Sequence, residues 1–116
     1  MSSNLVMYII MRRDLLSVLN WPVGAVATQA AHAATAALWT FKDDEDTVAY
    51  MKDIDNMHKV TLGVDNEEEL KKAKERLDTK KLQYRVWVED GMEVAVALKP
   101  CEKKTAKDAT RQLKLF

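Results

Sequence analysis

The chain is poor in the residue types that build disulfide frameworks and metal centres. Its 116 residues include one cysteine, Cys101, and two histidines, His32 and His58. One cysteine cannot form an internal disulfide, and a zinc site needs three or four ligands at regular spacing. We therefore expect neither a disulfide framework nor a structural metal site.

The chain also lacks a convincing membrane or targeting segment. No charged residue lies between Leu15 and Phe41, but that stretch includes Asn20, Gln29 and His32, and half of its residues 23–38 are alanine. Alanine favours membrane insertion much less than leucine or phenylalanine does. The N-terminus has no basic region of the kind that opens a signal peptide. These features predict a cytoplasmic protein with no membrane partner.

Length and composition are those of one ordinary globular domain. Residues 1–116 can enclose one hydrophobic core but not two. Apolar residues make up 47% of the chain and charged residues 31%, which is typical of a folded protein. We therefore treat residues 1–116 as a single domain.

The formal net charge is zero, but the charges are segregated along the chain. Residues 43–55 hold six acidic side chains and one lysine. Residues 99–116 hold two acidic and six basic side chains, which are Lys99, Lys103, Lys104, Lys107, Arg111 and Lys114. A basic face of this kind would suit a polyanion such as RNA. Two solvated helix faces of opposite sign would explain the same pattern.

Strand-like and helix-like patterns alternate along most of the chain. Strands are predicted at residues 5–11, 59–64, 84–89 and 94–98. Helices are predicted from Pro22 to about residue 41 with Asn20 as cap, at 43–55, from the Asn66 cap to about residue 80, and from Thr105 to residue 112. The apolar face of the 43–55 helix would consist of Val48, Met51 and Ile54.

Connection lengths then predict the topology of the sheet. The first three strands are joined by helices and should be parallel, whereas a few residues join the last two into an antiparallel hairpin. The expected fold is α/β: a three-layer α/β/α sandwich around a mixed four-stranded sheet.

This topology brings several candidate residues to one edge of the sheet. Ligands of open α/β sheets gather at the carboxyl ends of the parallel strands, where Arg12, Arg13 and Asp90 are expected. The start of the alanine-rich helix, at Gly24, adds backbone N–H groups that favour an anion or a developing oxyanion. Asp90 is the acid–base candidate, although Asp-Gly is also a common hairpin turn.

Two polar side chains lie farther along the alanine-rich helix. At a rise of 1.5 Å per residue, Gln29 is roughly 10 Å and His32 roughly 15 Å from Pro22. At that depth we expect His32 to be a hydrogen-bonded packing residue rather than a base.

Several segments, in order along nearly the whole chain, resemble the type 2 peptidyl-tRNA hydrolase family. They are residues 8–15 (YIIMRRDL), Gly24 with Ala27, Gln29, His32 and Ala33, residues 59–64 (KVTLGV), 86–91 (VWVEDG), 97–100 (ALKP) and 113–116 (LKLF). Residues 21–25 (WPVGA) and 29–38 are most similar to a divergent branch, the peptidyl-tRNA hydrolase domain-containing proteins.

The resemblance implies a fold, an activity and a set of site residues. The implied sheet order is 2-1-4-3 with only strand four antiparallel. The implied reaction is hydrolysis of the ester between peptide and tRNA, without metal or organic cofactor, so that tRNA or peptidyl-tRNA is the partner; a homodimer stays an open alternative. Asp90, Gln29 and His32 match motif positions of the family. We expect catalytic roles for Asp90 and Gln29 and substrate-binding roles for Gly24 and His32. Topology adds Arg12 and Arg13 to the substrate-binding residues, and the charge pattern adds Lys103, Lys104 and Lys107.

The chain also departs from the pattern of the family it resembles. The family's two lysines before the helix are replaced in residues 22–25 (PVGA), and the loop after Asp90 is shortened. Two hypotheses follow. The chain is either an active esterase, in which Asp90 orients water, or a catalytically silent member that binds tRNA or a protein through the same cleft.

Overall fold

A computed structural model describes residues 4–116, and a mixed six-stranded sheet lies at its centre. The strands are β1 (Leu5–Arg12), β2 (Lys59–Val64), β3 (Tyr84–Glu89), β4 (Met92–Leu98), β5 (Cys101–Glu102) and β6 (Lys114–Leu115). The helices are α1 (Asp14–Ser17), α2 (Val23–Thr40), α3 (Glu45–Lys52), α4 (Glu67–Thr79) and α5 (Lys103–Ala109), and a single 3-10 turn covers Ile54–Asn56.

The sheet confirms the predicted fold class but has two more strands than expected. Its order is β3-β4-β1-β2-β6, with β5 paired to the start of β1. The four long strands therefore follow the order 2-1-4-3, with β1 parallel to β2 and β4 antiparallel to both β1 and β3. The prediction of four strands was wrong because β5 and β6 have two residues each, too short for a hydrophobic period to reveal.

Helices cover both faces of the sheet, and β1 contributes to both hydrophobic clusters. Its even-numbered residues Val6, Tyr8 and Ile10 pack in the cluster that includes Leu70 and Leu77 of α4. Its odd-numbered residues pack in the other cluster, with alanines of α2; they are Met7, Ile9 and Met11. This alternation follows from the two-residue period of a strand that is buried on both faces.

Helix α2 forms as predicted but begins later than the cap expected for it. The helix starts at Val23 with Pro22 as its N-cap residue, and Asn20 instead has a φ of 56°. Buried Ala33 and Ala37 face the sheet, where their small side chains permit close approach. Asn20 is therefore a left-handed loop residue, a conformation that asparagine tolerates well.

Helix α3 is shorter than predicted and buries a different face. It spans Glu45–Lys52 and buries Thr47 and Tyr50, whereas Val48 and Ile54 are exposed. The Tyr50 hydroxyl donates a hydrogen bond to the His58 carbonyl at 3.0 Å, which satisfies the hydroxyl inside the protein. This contact lies beyond the end of α3, so the pattern of the helix alone does not reveal which face of α3 turns inward.

The remaining helix boundaries agree with the sequence at α4 and differ at α5. The Asn66 side chain accepts a hydrogen bond from the Glu69 N–H at 2.9 Å and caps α4 as predicted. Helix α5 begins at Lys103 rather than after Thr105 and ends at Ala109. The Lys103 N–H donates to the Asn4 carbonyl at 2.8 Å, so pairing with the start of the chain fixes where α5 begins.

Gly63 permits a close approach between β2 and the Arg13 side chain. A Cβ atom at position 63 would overlap the Arg13 guanidinium carbon. The Arg13 Nη2 donates to the Leu115 carbonyl of β6 at 2.8 Å. Gly63 and Arg13 together therefore hold the short C-terminal strand against the sheet.

This arrangement predicts an energetic coupling between positions 13 and 63. We expect Gly63→Ala to displace the guanidinium and so to lower the free energy of unfolding. The loss should be about 1 kcal/mol larger in the wild type than in the Arg13→Ala variant, because that variant already lacks the hydrogen bond to Leu115. Urea unfolding of the two single variants and the double variant measures the coupling. If the two substitutions change the free energy of unfolding additively, the position of the Arg13 guanidinium does not depend on the space above Gly63.

Candidate active site at the carboxyl edge of the sheet

The carboxyl ends of β1 and β3 and the start of α2 meet at one edge of the sheet. Arg12 ends β1, Asp90 follows β3, and Gly24 lies in the first turn of α2. Strands β1 and β3 run in the same direction because each is antiparallel to β4. The structure thus brings the expected side chains to the same edge, but it gives them different environments.

Arg12 is buried and fully engaged with its neighbours. Its side chain donates to both carboxylate oxygens of Asp14, at 2.9 and 2.8 Å, and to the Glu93 carbonyl at 3.2 Å. The residue is 5% exposed. Its hydrogen bonds to Asp14 raise the pKa of Arg12, so the guanidinium stays charged. These contacts engage Arg12 with protein partners, and the substrate-binding role predicted for it from the sequence stays a prediction.

Glu93 extends this cluster of charges to α4. Its backbone N–H donates to a carboxylate oxygen of Glu67 at 2.9 Å. Its own carboxylate lies 2.7 Å from the Lys74 ammonium. Sequence reasoning missed these three residues, since only the fold brings the start of β4 next to α4.

Arg13 lies away from Arg12 and serves the C-terminal strand. Its backbone N–H donates to the Val64 carbonyl at 2.7 Å, and its side chain holds Leu115. The residue is half-buried. Its predicted phosphate contact would have to compete with the bond to β6.

Gln29 links α2 to β3 through its amide oxygen, while its amide nitrogen bonds within α2. Its Nε2 donates to the Ala25 carbonyl at 3.2 Å, and its Oε1 accepts from the Trp87 indole N–H at 3.0 Å. The same indole N–H lies 3.2 Å from a carboxylate oxygen of Glu89. Gln29 is 6% exposed. This geometry engages the Gln29 amide with Ala25 and Trp87, and the catalytic role predicted from the sequence stays a prediction.

His32 also contacts Trp87, by ring stacking. The two ring centroids are 4.6 Å apart and the planes differ by 23°. His32 is otherwise exposed on α2. The contact suits a packing residue and places the ring beside β3.

Asp90 combines a turn conformation with a free carboxylate. Asp90 has a φ of 52° and Gly91 a φ of 75°, the two consecutive positive angles of a tight hairpin turn. The residue is exposed, and within residues 4–116 its carboxylate has no hydrogen bond or ion pair. Asp90 is therefore a turn residue whose side chain remains available to a ligand.

The start of α2 offers free backbone donors at this edge. The N-cap residue Pro22 supplies no side-chain hydrogen bond, while the N–H groups of Ala25 and Val26 reach the Pro22 carbonyl. The N–H groups of Val23 and Gly24 have no acceptor within residues 4–116, and Val23 is 73% exposed. The positive end of an 18-residue helix with free donors favours negative charge.

The structure separates the three lysines of α5 from this edge. Helix α5 follows β5, which pairs with Leu5 and Val6 at the amino end of β1. An eight-residue strand is about 25 Å long. Lys103, Lys104 and Lys107 therefore begin near the opposite edge from Asp90, and their predicted contact with tRNA stays a prediction.

Two further features concern metals and membranes. Within residues 4–116, no group of three His, Cys, Asp or Glu side chains could hold a metal ion. In the same part of the chain, no helix has the length and apolarity needed to cross a membrane.

Comparison with known proteins identifies relatives along nearly the whole chain. Residues 5–116 match the family model described as Peptidyl-tRNA hydrolase PTH2. The chain is 37% identical over 115 residues to "Putative peptidyl-tRNA hydrolase PTRHD1" of Homo sapiens. It is 36% identical to the Mus musculus protein of that name, and each alignment covers 97% of this chain and 82% of the relative.

A solved structure shows the same fold at low sequence identity. The protein of unknown function Atu0240 from Agrobacterium tumefaciens superposes with a TM-score of 0.61 at 14% identity. The match covers 99% of both chains. The three-layer architecture is therefore shared well beyond the similar sequences.

The burial of Arg12 predicts a large loss of stability when its charge is removed. Arg12→Met leaves Asp14 without its partner, and breaking such a pair typically costs about 3–5 kcal/mol. We expect urea unfolding to show a loss of this size, and the matched Arg13→Met variant to lose no more than about 1.5 kcal/mol. An Arg12→Met variant with the same free energy of unfolding as the wild type would show that the pair with Asp14 does not stabilise the fold. That result would favour a substrate-binding role for Arg12.

The Gln29–Trp87 contact predicts a smaller structural effect. Trp87→Phe removes the indole donor and leaves the buried Gln29 Oε1 without it, at a cost of about 1–3 kcal/mol. In Gln29→Met the same Trp87→Phe change should cost less, since the acceptor is already absent. The free energies of unfolding of the wild type, Trp87→Phe, Gln29→Met and the double variant test this expectation. If the effects of the two substitutions on that free energy simply add, the contact does not stabilise the fold.

Proposed function

Because the chain belongs to the type 2 peptidyl-tRNA hydrolase family, we propose that it hydrolyses the ester joining a peptide to tRNA. One observation carries the proposal: the free carboxylate of Asp90 and the free N–H groups at the start of α2 share one edge of the sheet. Ester hydrolysis needs a base beside the attacking water and donors for the oxyanion. The proposal includes tRNA binding and a cytoplasmic location.

Each free group has one role in the proposed reaction. The Asp90 carboxylate accepts a hydrogen bond from water and draws off its proton as the water oxygen bonds to the acyl carbon. The Val23 and Gly24 N–H groups stabilise the negative oxygen of the tetrahedral intermediate. The ester bond to the ribose then breaks, and Asp90 passes the proton to the departing ribose oxygen. The peptide carboxylic acid releases the second proton of the water to solvent, so that the products are a peptide carboxylate and tRNA.

The buried contacts of the edge support this chemistry by keeping it rigid. The Arg12 side chain ties the end of β1 to the start of β4 through the Glu93 carbonyl. The Gln29–Trp87 hydrogen bond ties α2 to β3. Both contacts limit the movement of Asp90 relative to the helix start, and preorganisation of this kind is a main source of transition-state stabilisation.

A second candidate function is tRNA or protein binding without catalysis. Residues 22–25 contain no lysine, and the Gln29 amide is already occupied by Ala25 and Trp87. Both observations remove side chains that could act on the ester. This candidate function predicts that the chain binds peptidyl-tRNA but does not hydrolyse it. Measuring binding and hydrolysis of the same substrate therefore separates the two functions.

The proposed role of Asp90 predicts a specific loss of rate. Asp90→Asn should reduce hydrolysis of N-acetylated aminoacyl-tRNA by two or more orders of magnitude, the usual contribution of a general base. Asparagine tolerates the positive φ at this position, so the hairpin and the fold should be retained. Single-turnover rates, with tRNA affinity measured separately, test the expectation.

Asp55→Asn is the matched control, since Asp55 is also exposed but lies in the 3-10 turn after α3. It should hydrolyse substrate at the wild-type rate. An Asp90→Asn protein as fast as this control would leave Asp90 as a turn residue only and refute the proposed mechanism.

A further inference from the structure

A second concave site lies on the face of the sheet covered by α4 and α5. The cavity has a volume of about 800 Å³. Its floor contains Tyr8 of β1, Leu62 of β2 and Leu113, and its walls include residues of α5. Ligand sites of small molecules commonly have volumes of roughly 300–1,000 Å³. The cavity is large enough for a ligand with a ring as well as a charged group.

The rim of this cavity is strongly basic. Four cationic side chains line it: Lys80, Lys104, Lys107 and Arg111. The single lining carboxylate, Asp108, is bound by the Lys80 ammonium at 2.9 Å and by the Arg111 guanidinium at 2.7 Å. These two cations hold the pKa of Asp108 below its usual range. Lys104 and Lys107 have no ion pair within residues 4–116, and Lys80 and Arg111 share one carboxylate, so the rim keeps a net charge of +3.

The floor of the cavity presents a hydroxyl group without a protein partner. Tyr8 is 6% exposed, and its hydroxyl forms no hydrogen bond within residues 4–116. Because the side chain lines the cavity, a ligand atom can replace the water that would otherwise bind this hydroxyl. Burial raises the pKa of Tyr8, so the phenol stays protonated near neutral pH and can donate. The hydroxyl thus points to a ligand that supplies an acceptor.

We propose that this cavity binds a nucleoside monophosphate, either free or as the 5′ end of an RNA. The free lysines of α5 would meet the phosphate oxygens, for which lysine is a common ligand. The Tyr8 hydroxyl would donate to an acceptor atom of the same molecule. The apolar floor formed with Leu62 and Leu113 would cover the base.

This site is distinct from the proposed esterase site. Tyr8 packs in the α4 and α5 cluster on one face of the sheet, whereas Gln29 and Trp87 join α2 to β3 on the other. The inference therefore stands whether or not the chain hydrolyses peptidyl-tRNA. A nucleotide in this cavity would contact Lys104 and Lys107 without extending to Asp90, which lies at the opposite edge of the sheet.

Titration calorimetry with AMP, adenosine and inorganic phosphate tests the proposal. AMP should bind at least tenfold more tightly than adenosine or phosphate alone, because only AMP uses both the rim and the floor. Lys104→Ala/Lys107→Ala should weaken AMP binding at least tenfold, and Tyr8→Phe should weaken it several-fold. Lys52→Ala/Lys71→Ala, which removes two exposed charges from α3 and α4, should bind AMP like the wild type.

Competition with RNA identifies the source of the nucleotide. A short RNA with a 5′ phosphate that displaces AMP, beside a 5′-hydroxyl RNA that does not, assigns the site to RNA ends; displacement by neither assigns it to the free nucleotide. Absence of AMP binding to the wild type, or equal loss of binding in the control variant, would overturn the proposal. Displacement by the 5′-hydroxyl RNA would overturn it as well, since the lysines would then bind the backbone alone.

Discussion

The buried guanidinium of Arg12 is the charge around which the carboxyl edge of the sheet is arranged. A buried charge is tolerated only when it is paired and hydrogen-bonded. Here the pairing joins the end of β1 to Asp14 at the start of α1 and to the Glu93 carbonyl at the start of β4. Glu93 in turn contacts Glu67 and Lys74 of α4. One charge therefore fixes four elements at this edge.

This arrangement also decides which groups remain free for chemistry. Arg12 is occupied by its neighbours, and the Gln29 amide is occupied by Ala25 and Trp87. Of the candidate groups at this edge, the Asp90 carboxylate and the first N–H groups of α2 have no partner within residues 4–116. A negative group that can orient water and a positive helix end that can hold an oxyanion complement each other. The proposed function depends on this pair, which was also predicted from the sequence, rather than on Arg12 or Gln29.

Local patterns were sufficient to predict most of the fold. Hydrophobic runs located the four long strands, and the Asn66 cap located the start of α4. The inward face of α3 could not be predicted in this way, because burial of Tyr50 depends on the His58 carbonyl eight residues later. Strand β6 was missed because its two residues pair with β2 and Leu115 is also bound by Arg13, both distant in sequence.

The candidate site was predictable in position but not in detail. The topology placed Arg12, Arg13 and Asp90 at the correct edge, since strand direction alone determines it. The sequence could not distinguish the two arginines. Asp14 and Glu93 pair with Arg12, while the space above Gly63 and the Leu115 carbonyl hold Arg13. The distance between the lysines of α5 and Asp90 could not be predicted, because only the pairing of β5 with β1 places their helix beside the opposite end of β1.

Hydrolysis in ¹⁸O-labelled water tests the central claim most directly. The purified wild-type chain is incubated with N-acetylated aminoacyl-tRNA beside a mock preparation, and the products are analysed by mass spectrometry. Attack of an oriented water on the acyl carbon predicts turnover well above the mock, with one ¹⁸O in the carboxylate of the released N-acetyl amino acid and none in the tRNA. Turnover no faster than the mock, or label in the tRNA ribose, would contradict the account.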